Sequence, residues 1–151
     1  MNATPQNQAS IRQAEPEDIL TLTEFIRPFV TSGRLLPRTE TELQELIAHG
    51  FLAVQNEIIV GFAALEIYSS KLAEIRSLAV ANEVQGQGIG RLLVQSCVDR
   101  AHRENILEVL AITSEENFFQ ACGFDFTLPG EKKALFLQTR DMINNENEET
   151  A

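Results

Sequence analysis

Three glycines alternate with other residues in Gly86-Gln87-Gly88-Ile89-Gly90, and their flanks make this stretch the strongest constraint on the fold. Upstream, Ile75-Arg76-Ser77-Leu78-Ala79-Val80 reads as a strand; downstream, residues 92–103 read as a helix. The glycines therefore occupy a strand-to-helix turn, where backbone amides crowd together and point one way. Free donors and the positive end of the helix dipole coincide there, which suits phosphate oxygens. A ligand carrying a pyrophosphate is the first expectation. The spacing is not that of a GxGxxG dinucleotide site, and no βαβαβ order surrounds it. No Walker lysine follows, which argues against a nucleotide triphosphatase.

The rest of the chain arranges itself around that turn. Residues 10–14 form a short extended run, and Glu15-Pro16-Glu17-Asp18 suits a helix start, where proline costs no hydrogen bond and carboxylates favour the dipole. Ile19, Leu22, Phe25, Ile26 and Phe29 then repeat at helical spacing, with Pro28 expected to end or bend the helix. A loop follows with Arg34 and Arg38; Thr39 and Glu42 then stand at the N-cap and capping-box positions of a second helix. Residues 51–55 and 58–67 are β-branched, apolar segments joined by Asn56-Glu57, a hairpin signal. Residues 68–71 make a second turn and 73–80 the next strand. After the glycine turn and its helix, 106–112 reads as a strand buried on both faces and 115–121 as a short helix stopped by Gly123. Residues 124–127 and 134–138 complete the pattern as two final strands. The order β-α-α-β-β-β-α-β-α-β-β implies an α/β (α+β) fold, a mixed sheet with helices on both faces.

Composition limits what such a chain does. With 151 residues it suffices for one domain with a proper core, expected at 10–140 between a flexible 1–9 and a disordered acidic tail at 141–151. The net charge of -10 argues against a nucleic-acid partner. No apolar run approaches the roughly 18 residues of a membrane span, and no secretory signal begins the chain. Cys97 and Cys122 lack CxxC spacing and sit among apolar neighbours, as reduced core residues of a cytoplasmic protein do. Two scattered histidines, His49 and His102, make no metal site.

Gln85, Gly88 and Gly90, with Leu78-Ala79-Val80 upstream and Phe118-Phe119-Gln120-Ala121-Cys122-Gly123-Phe124 downstream, resemble the acetyl-CoA site of the GNAT acetyltransferase superfamily. The resemblance spans roughly residues 10 to 140. It implies a mostly antiparallel sheet whose central strands splay to admit the pantetheine arm. Gln85, Gly86, Gln87, Gly88, Ile89, Gly90 and Arg91 would surround the pyrophosphate. Backbone of Leu78, Ala79 and Val80 would pair with pantetheine like an added strand. Phe119 stands where many relatives carry a tyrosine whose phenol protonates the departing thiolate. Another group or water must supply that proton here, or the domain does not catalyse. Tyr68, the sole tyrosine, falls in a turn elsewhere in the chain.

A narrower resemblance concerns the acceptor. Ile26-Arg27-Pro28, the loop from Gly33 to Thr39, Glu74-Ile75, Thr113 and Leu128-Pro129-Gly130-Glu131-Lys132-Lys133 are similar to the acetyltransferase domain of the N-acetylglutamate synthases. This implies that the α-amine of an amino acid, foremost L-glutamate in arginine biosynthesis, receives the acetyl group. Arg38 and Arg140 would hold the substrate carboxylates, with Lys132, Lys133 and Lys71 adding positive charge; arginine forks match carboxylate planes. Glu74 matches the general base, acting through a water. The amide of Ser77 or a neighbour would donate to the oxyanion, worth roughly 3 kcal/mol. Thr113 would hold a water or assist the thiol. Two other readings keep the donor site: a different small amine or a protein N-terminus as acceptor, or a non-catalytic acetyl-CoA-binding regulatory module. GNAT domains are often dimers, so a homodimer is compatible with the resemblance.

Overall fold

The structure, a computed structural model, describes residues 8–126 and 133–139. Among them a five-stranded sheet runs in the order β1 (Ser10–Gln13), β2 (Gly50–Gln55), β3 (Ile58–Ile67), β4 (Leu72–Val80) and β5 (Glu108–Leu110). The first four strands pair antiparallel, and β4 pairs with β5 parallel. The mixed, mostly antiparallel sheet follows from hairpin-length links between β2, β3 and β4 and a helical crossover from β4 to β5. The β2–β3 hairpin turns on Asn56 and Glu57, with φ of 52° and 64°, the left-handed pair that a two-residue hairpin requires.

Each face of the sheet carries its own core. Along β3, Ala63 and Leu65 point to one side and Phe62 and Ala64 to the other, as period-two alternation demands. The first side packs on α3 (Ile89–Arg103) through Leu93, Val94 and Cys97. The other packs on α1 (Ile19–Thr31) and α2 (Glu40–Ile47) through Leu22, Ile26, Leu43 and Leu46. The α2 start matches its sequence: Thr39 Oγ1 accepts from the Glu42 amide at 3.2 Å, and the Glu42 carboxylate accepts from the Thr39 amide at 2.8 Å. Ahead of α1, the Asp18 carboxylate takes both forks of Arg12 at 2.7 Å and the Glu15 amide at 2.8 Å.

Several expectations are corrected. Helix α1 does not end at Pro28 but runs one further turn to Thr31, where the Pro28 carbonyl still accepts from the Ser32 amide at 3.0 Å. The strand expected at 106–112 is confined to three residues at the sheet edge, with Leu107 and Ile112 exposed rather than buried on both faces. The described parts of the two expected final strands, 124–126 and 134–138, carry no ladder. The Phe126 amide is taken locally by the Asp125 carboxylate at 2.8 Å, and Leu135, Phe136 and Leu137 stand exposed without a strand partner. Residues 1–7 and 140–151 of the expected termini lie outside the described residues, whereas Ala9 rests on the α3-side core. Among the described residues no helix is long and apolar enough to cross a membrane.

Candidate active site

The β4–β5 ladder has only three rungs, Leu72–Glu108, Ala73–Val109 and Glu74–Leu110. Beyond Glu74 the two chains part: β4 continues to Val80 against β3, while the chain after β5 turns away into α4 (Glu116–Ala121). A cleft of about 810 Å³ opens in the fork. Its floor is Ile75, Ser77, Leu78, Ala79 and Val80; its far wall is Ile112, Thr113, Ser114, Phe118 and Phe119. Phe29, Arg34 and Leu35, from the end of α1 and the loop beyond it, form the near wall.

The glycine turn closes one end of the cleft. Gly88 caps α3 at φ 80°, and Gly86 is also left-handed at φ 84°. The first bond into the helix runs from the Leu92 amide to the Gly88 carbonyl, so the amides of Ile89, Gly90 and Arg91 precede it without helical acceptors. Gln85 is tied back by its side-chain amide to Asn82 Oδ1 at 3.2 Å, and Arg34 donates to the same oxygen at 3.3 Å. The Arg34 guanidinium also lies over the Phe29 ring, 5.7 Å from its centroid. Gln87 is exposed in the turn but does not line the cleft, while Arg91 lines its rim. From α4, Phe118 and Phe119 meet edge to face at 5.1 Å in the cleft wall, with Glu115 lining the cleft at the start of the helix.

Ser77 has φ 58°, unusual for a strand residue, where the β3–β4 register shifts between Phe62 and Ala64. Its hydroxyl accepts from Arg38 Nε at 3.1 Å, which brings the half-buried Arg38 from the α1–α2 loop to the sheet. Among the described residues the terminal nitrogens of Arg38 have no carboxylate partner. Across the cleft, Thr113 Oγ1 accepts from the Glu115 amide at 2.8 Å at the start of α4, keeping its own hydrogen to donate.

Glu74 sits on the last rung of the fork and is 6% exposed. Contrary to the sequence expectation, Tyr68 is its neighbour: the phenol donates to Glu74 Oε1 at 2.6 Å. Arg76 Nη1 reaches Glu66 at 3.0 Å, Tyr68 Oη at 3.3 Å and Glu74 at 3.4 Å. Burial, then the bond to the Glu74 carboxylate, pushes the Tyr68 phenol up to about 12, so it stays protonated at neutral pH. Tyr68 and Arg76 were not singled out as site residues from the sequence, whereas Arg34 was marked with Arg38 as a loop cation that could face the cleft.

Neither Glu74 nor Arg38 lines the cleft itself; Glu74 precedes the lining residue Ile75, and Arg38 reaches the lining residue Ser77. The remaining candidates are not gathered here. Lys71 is exposed in the β3–β4 turn outside the cleft lining, Lys133 is exposed, and Lys132 and Arg140 lie outside the described residues. His49 Nδ1 lies 3.3 Å from Arg100, away from the cleft lining. Among the described residues no group of three or more His, Cys, Asp or Glu is arranged to hold a metal.

The sequence model of the family described as acetyltransferase (GNAT) matches residues 18–124. An uncharacterized N-acetyltransferase of Chlorobaculum tepidum is 32% identical over 120 residues, spanning 80% of this chain and 77% of that protein. An amino-acid acetyltransferase of Ralstonia nicotianae is 29% identical over 140 residues, 88% of this chain but 31% of the relative. The N-acetylglutamate synthase of Neisseria gonorrhoeae, solved in complex with coenzyme A and N-acetyl-glutamate, superposes with a TM-score of 0.68 at 30% identity. That match covers 76% of this chain and 27% of the synthase chain, so the chain spans less than a third of the last two proteins.

Proposed function

This chain belongs to the acetyltransferase (GNAT) family and is an acyltransferase, and we propose that it moves the acetyl group of acetyl-CoA to the α-amine of an amino acid, L-glutamate foremost. The observation that carries the acceptor reading is Arg38. Its Nε is spent on Ser77 at the cleft floor, which leaves the terminal fork to meet a carboxylate plane. The similarity to an amino-acid acetyltransferase and to a synthase solved with N-acetyl-glutamate supports the same reading.

Under this proposal the donor lies in the fork, its pyrophosphate on the amides of Ile89, Gly90 and Arg91 and its pantetheine along Leu78, Ala79 and Val80. These amides point at charge from a helix N-terminus, where anions are favoured. The acceptor arrives as an ammonium. Glu74, through a water, takes the ammonium proton, and the nitrogen lone pair forms the bond to the acetyl carbon. The amide of Ser77 or a neighbour donates to the oxyanion. The carbon–sulfur bond then breaks and its electron pair leaves on sulfur. Phe119 has no proton to give that thiolate. A water held by the Thr113 hydroxyl supplies it. Lys133 and Lys71, exposed, would add long-range attraction for a dianionic acceptor together with Lys132, and Arg140 would be the second carboxylate partner beside Arg38.

A single assay of free-thiol release with acetyl-CoA and a panel of amines tests the reading. Release with glutamate, lost by a hundredfold or more in Glu74→Gln, is expected. Arg38→Ala raises the KM for glutamate, and Arg38→Lys restores it incompletely because a point charge does not replace the fork. Release only with other amines overturns the acceptor, and binding of acetyl-CoA without release from any amine overturns catalysis.

A further inference from the structure

Four side chains share one face of the β3–β4 hairpin beneath the fork. Glu66 and Glu74 are direct cross-strand partners, and Arg76 follows Glu74 by two residues on the same face. Two carboxylates placed opposite each other repel. Here Arg76 stands between them, and Tyr68 adds its hydroxyl at the same point. The phenol has one proton, and the 2.6 Å bond to Glu74 claims it over Glu66 at 3.3 Å. Glu74 Oε1 thus receives Tyr68 and Arg76, while among the described residues Oε2 accepts no hydrogen bond.

We propose that Tyr68 is a positioning residue for the reaction: its phenol pins Glu74 Oε1 so that Oε2 alone is presented to the water that carries the acceptor's proton. The proposal rests on Glu74 as the base. Tyr68 touches neither donor nor acceptor; it acts through the carboxylate. A hydrogen bond given to the ionised form also favours that form over the protonated one. The charged groups that face Glu74 are Glu66 from β3, Tyr68 from the turn and Arg76 from its own strand, while Arg38 of the α1–α2 loop is engaged with Ser77. Arg76 alone leaves the carboxylate free to rotate, because its 3.4 Å contact is shared with Glu66 at 3.0 Å.

The chain has one tyrosine and no tryptophan, so global incorporation of a tyrosine analogue alters this site alone. Full-length protein is compared as wild type, Tyr68→Phe, Glu74→Gln and the 3-fluorotyrosine form, whose phenol is the stronger donor. Coenzyme A affinity and thermal unfolding serve as controls for folding. In Tyr68→Phe we expect the acidic limb of the kcat/KM profile to move up by about one pH unit, with kcat falling roughly tenfold at neutral pH. The fluorinated form moves the limb the other way. A fall in kcat with the limb unmoved in both forms makes Tyr68 merely structural and overturns the proposal, as does wild-type behaviour of Tyr68→Phe beside an impaired Glu74→Gln. Full activity in Glu74→Gln instead removes the base assignment itself, whatever Tyr68 does.

Discussion

Replacing Gly88 by alanine tests whether the amide turn depends on its left-handed residue. Nothing lies within 4 Å of a Cβ built there, so no steric contact enters the estimate and backbone strain alone decides. At φ 80° an L-residue costs about 1–2 kcal/mol. Restricting the unfolded chain returns about 0.4–1 kcal/mol, which leaves a net cost near 1 kcal/mol. That cost divides between two measurements. If residue 88 stays left-handed in the free protein, urea midpoints register the whole loss and the thermal midpoint falls by about 2–4 °C. If it relaxes when free, coenzyme A affinity absorbs the loss, about fivefold in Kd. The two losses must sum to about 1 kcal/mol. Gly61→Ala is the contrasting variant: its Cβ would stand 2.9 Å from Leu93 Cδ1 and 3.2 Å from Ala53 Cβ, an overpacking cost of about 1–3 kcal/mol. That loss registers first in urea unfolding; Ile89 Cγ2 also lies 3.2 Å from the added Cβ, so part of the strain can reach the amide turn. If Gly88→Ala leaves both stability and affinity within about 0.3 kcal/mol of wild type, the left-handed turn is not what presents the α3 amides.

Further outcomes follow from the core and its charges. Phe62 is fully buried between β3 and the α1–α2 layer, so Phe62→Ala is expected to lose about 3–5 kcal/mol in urea unfolding. Burial pushes the Cys97 thiol from 9.0 to about 12. The folded value is raised, so this stability is complete below pH 9 and is lost as pH climbs toward 12, reaching about 3 kcal/mol near pH 11. Urea midpoints between pH 8 and 11 should therefore fall more steeply in wild type than in Cys97→Ala. Asp18 is held below its usual value chiefly by the hydrogen bond from Arg12. Its contribution is present above about pH 4 and disappears as pH falls through the depressed folded value. Arg12→Ala should cost only about 0.5–1 kcal/mol at pH 7, since Arg12 is half exposed, and the gap to wild type should close in acid.

Local chemistry made much of this fold legible from sequence. Thr39 with Glu42 marked the start of α2, Asn56-Glu57 marked a hairpin, and the apolar, β-branched run at 58–67 marked a strand. Each of these signals is decided by neighbours a few residues away. The Tyr68–Glu74 contact is not. It depends on the register that pairs Glu66 with Glu74 across the turn, which decides whether residues 68 and 74 share a face. Arg38 likewise was visible as a cation in an apolar loop, but its seat on Ser77 requires the left-handed strand residue that lifts the hydroxyl toward α2. The segments at 124–126 and 134–138 show the limit of propensity. Apolar and aromatic residues favour a strand, yet a strand needs a neighbour to bond, and that is a tertiary fact.

The three-rung ladder has a thermodynamic consequence. A strand that continues past its last rung keeps amides and carbonyls open along one edge, and solvent reaches them until something bonds there. If the donor pairs along that edge as proposed, it joins the hydrogen-bonded sheet, and its concentration enters the unfolding equilibrium. At a hundred times the dissociation constant it adds about 2.7 kcal/mol. Amide hydrogen exchange at Leu78 and Val80, which alternate with the Ala79 amide facing β3, should slow if the donor pairs there, with no turnover required. Under the proposed binding mode, then, the donor extends the described sheet, and the rigidity of β4 tracks the supply of that donor.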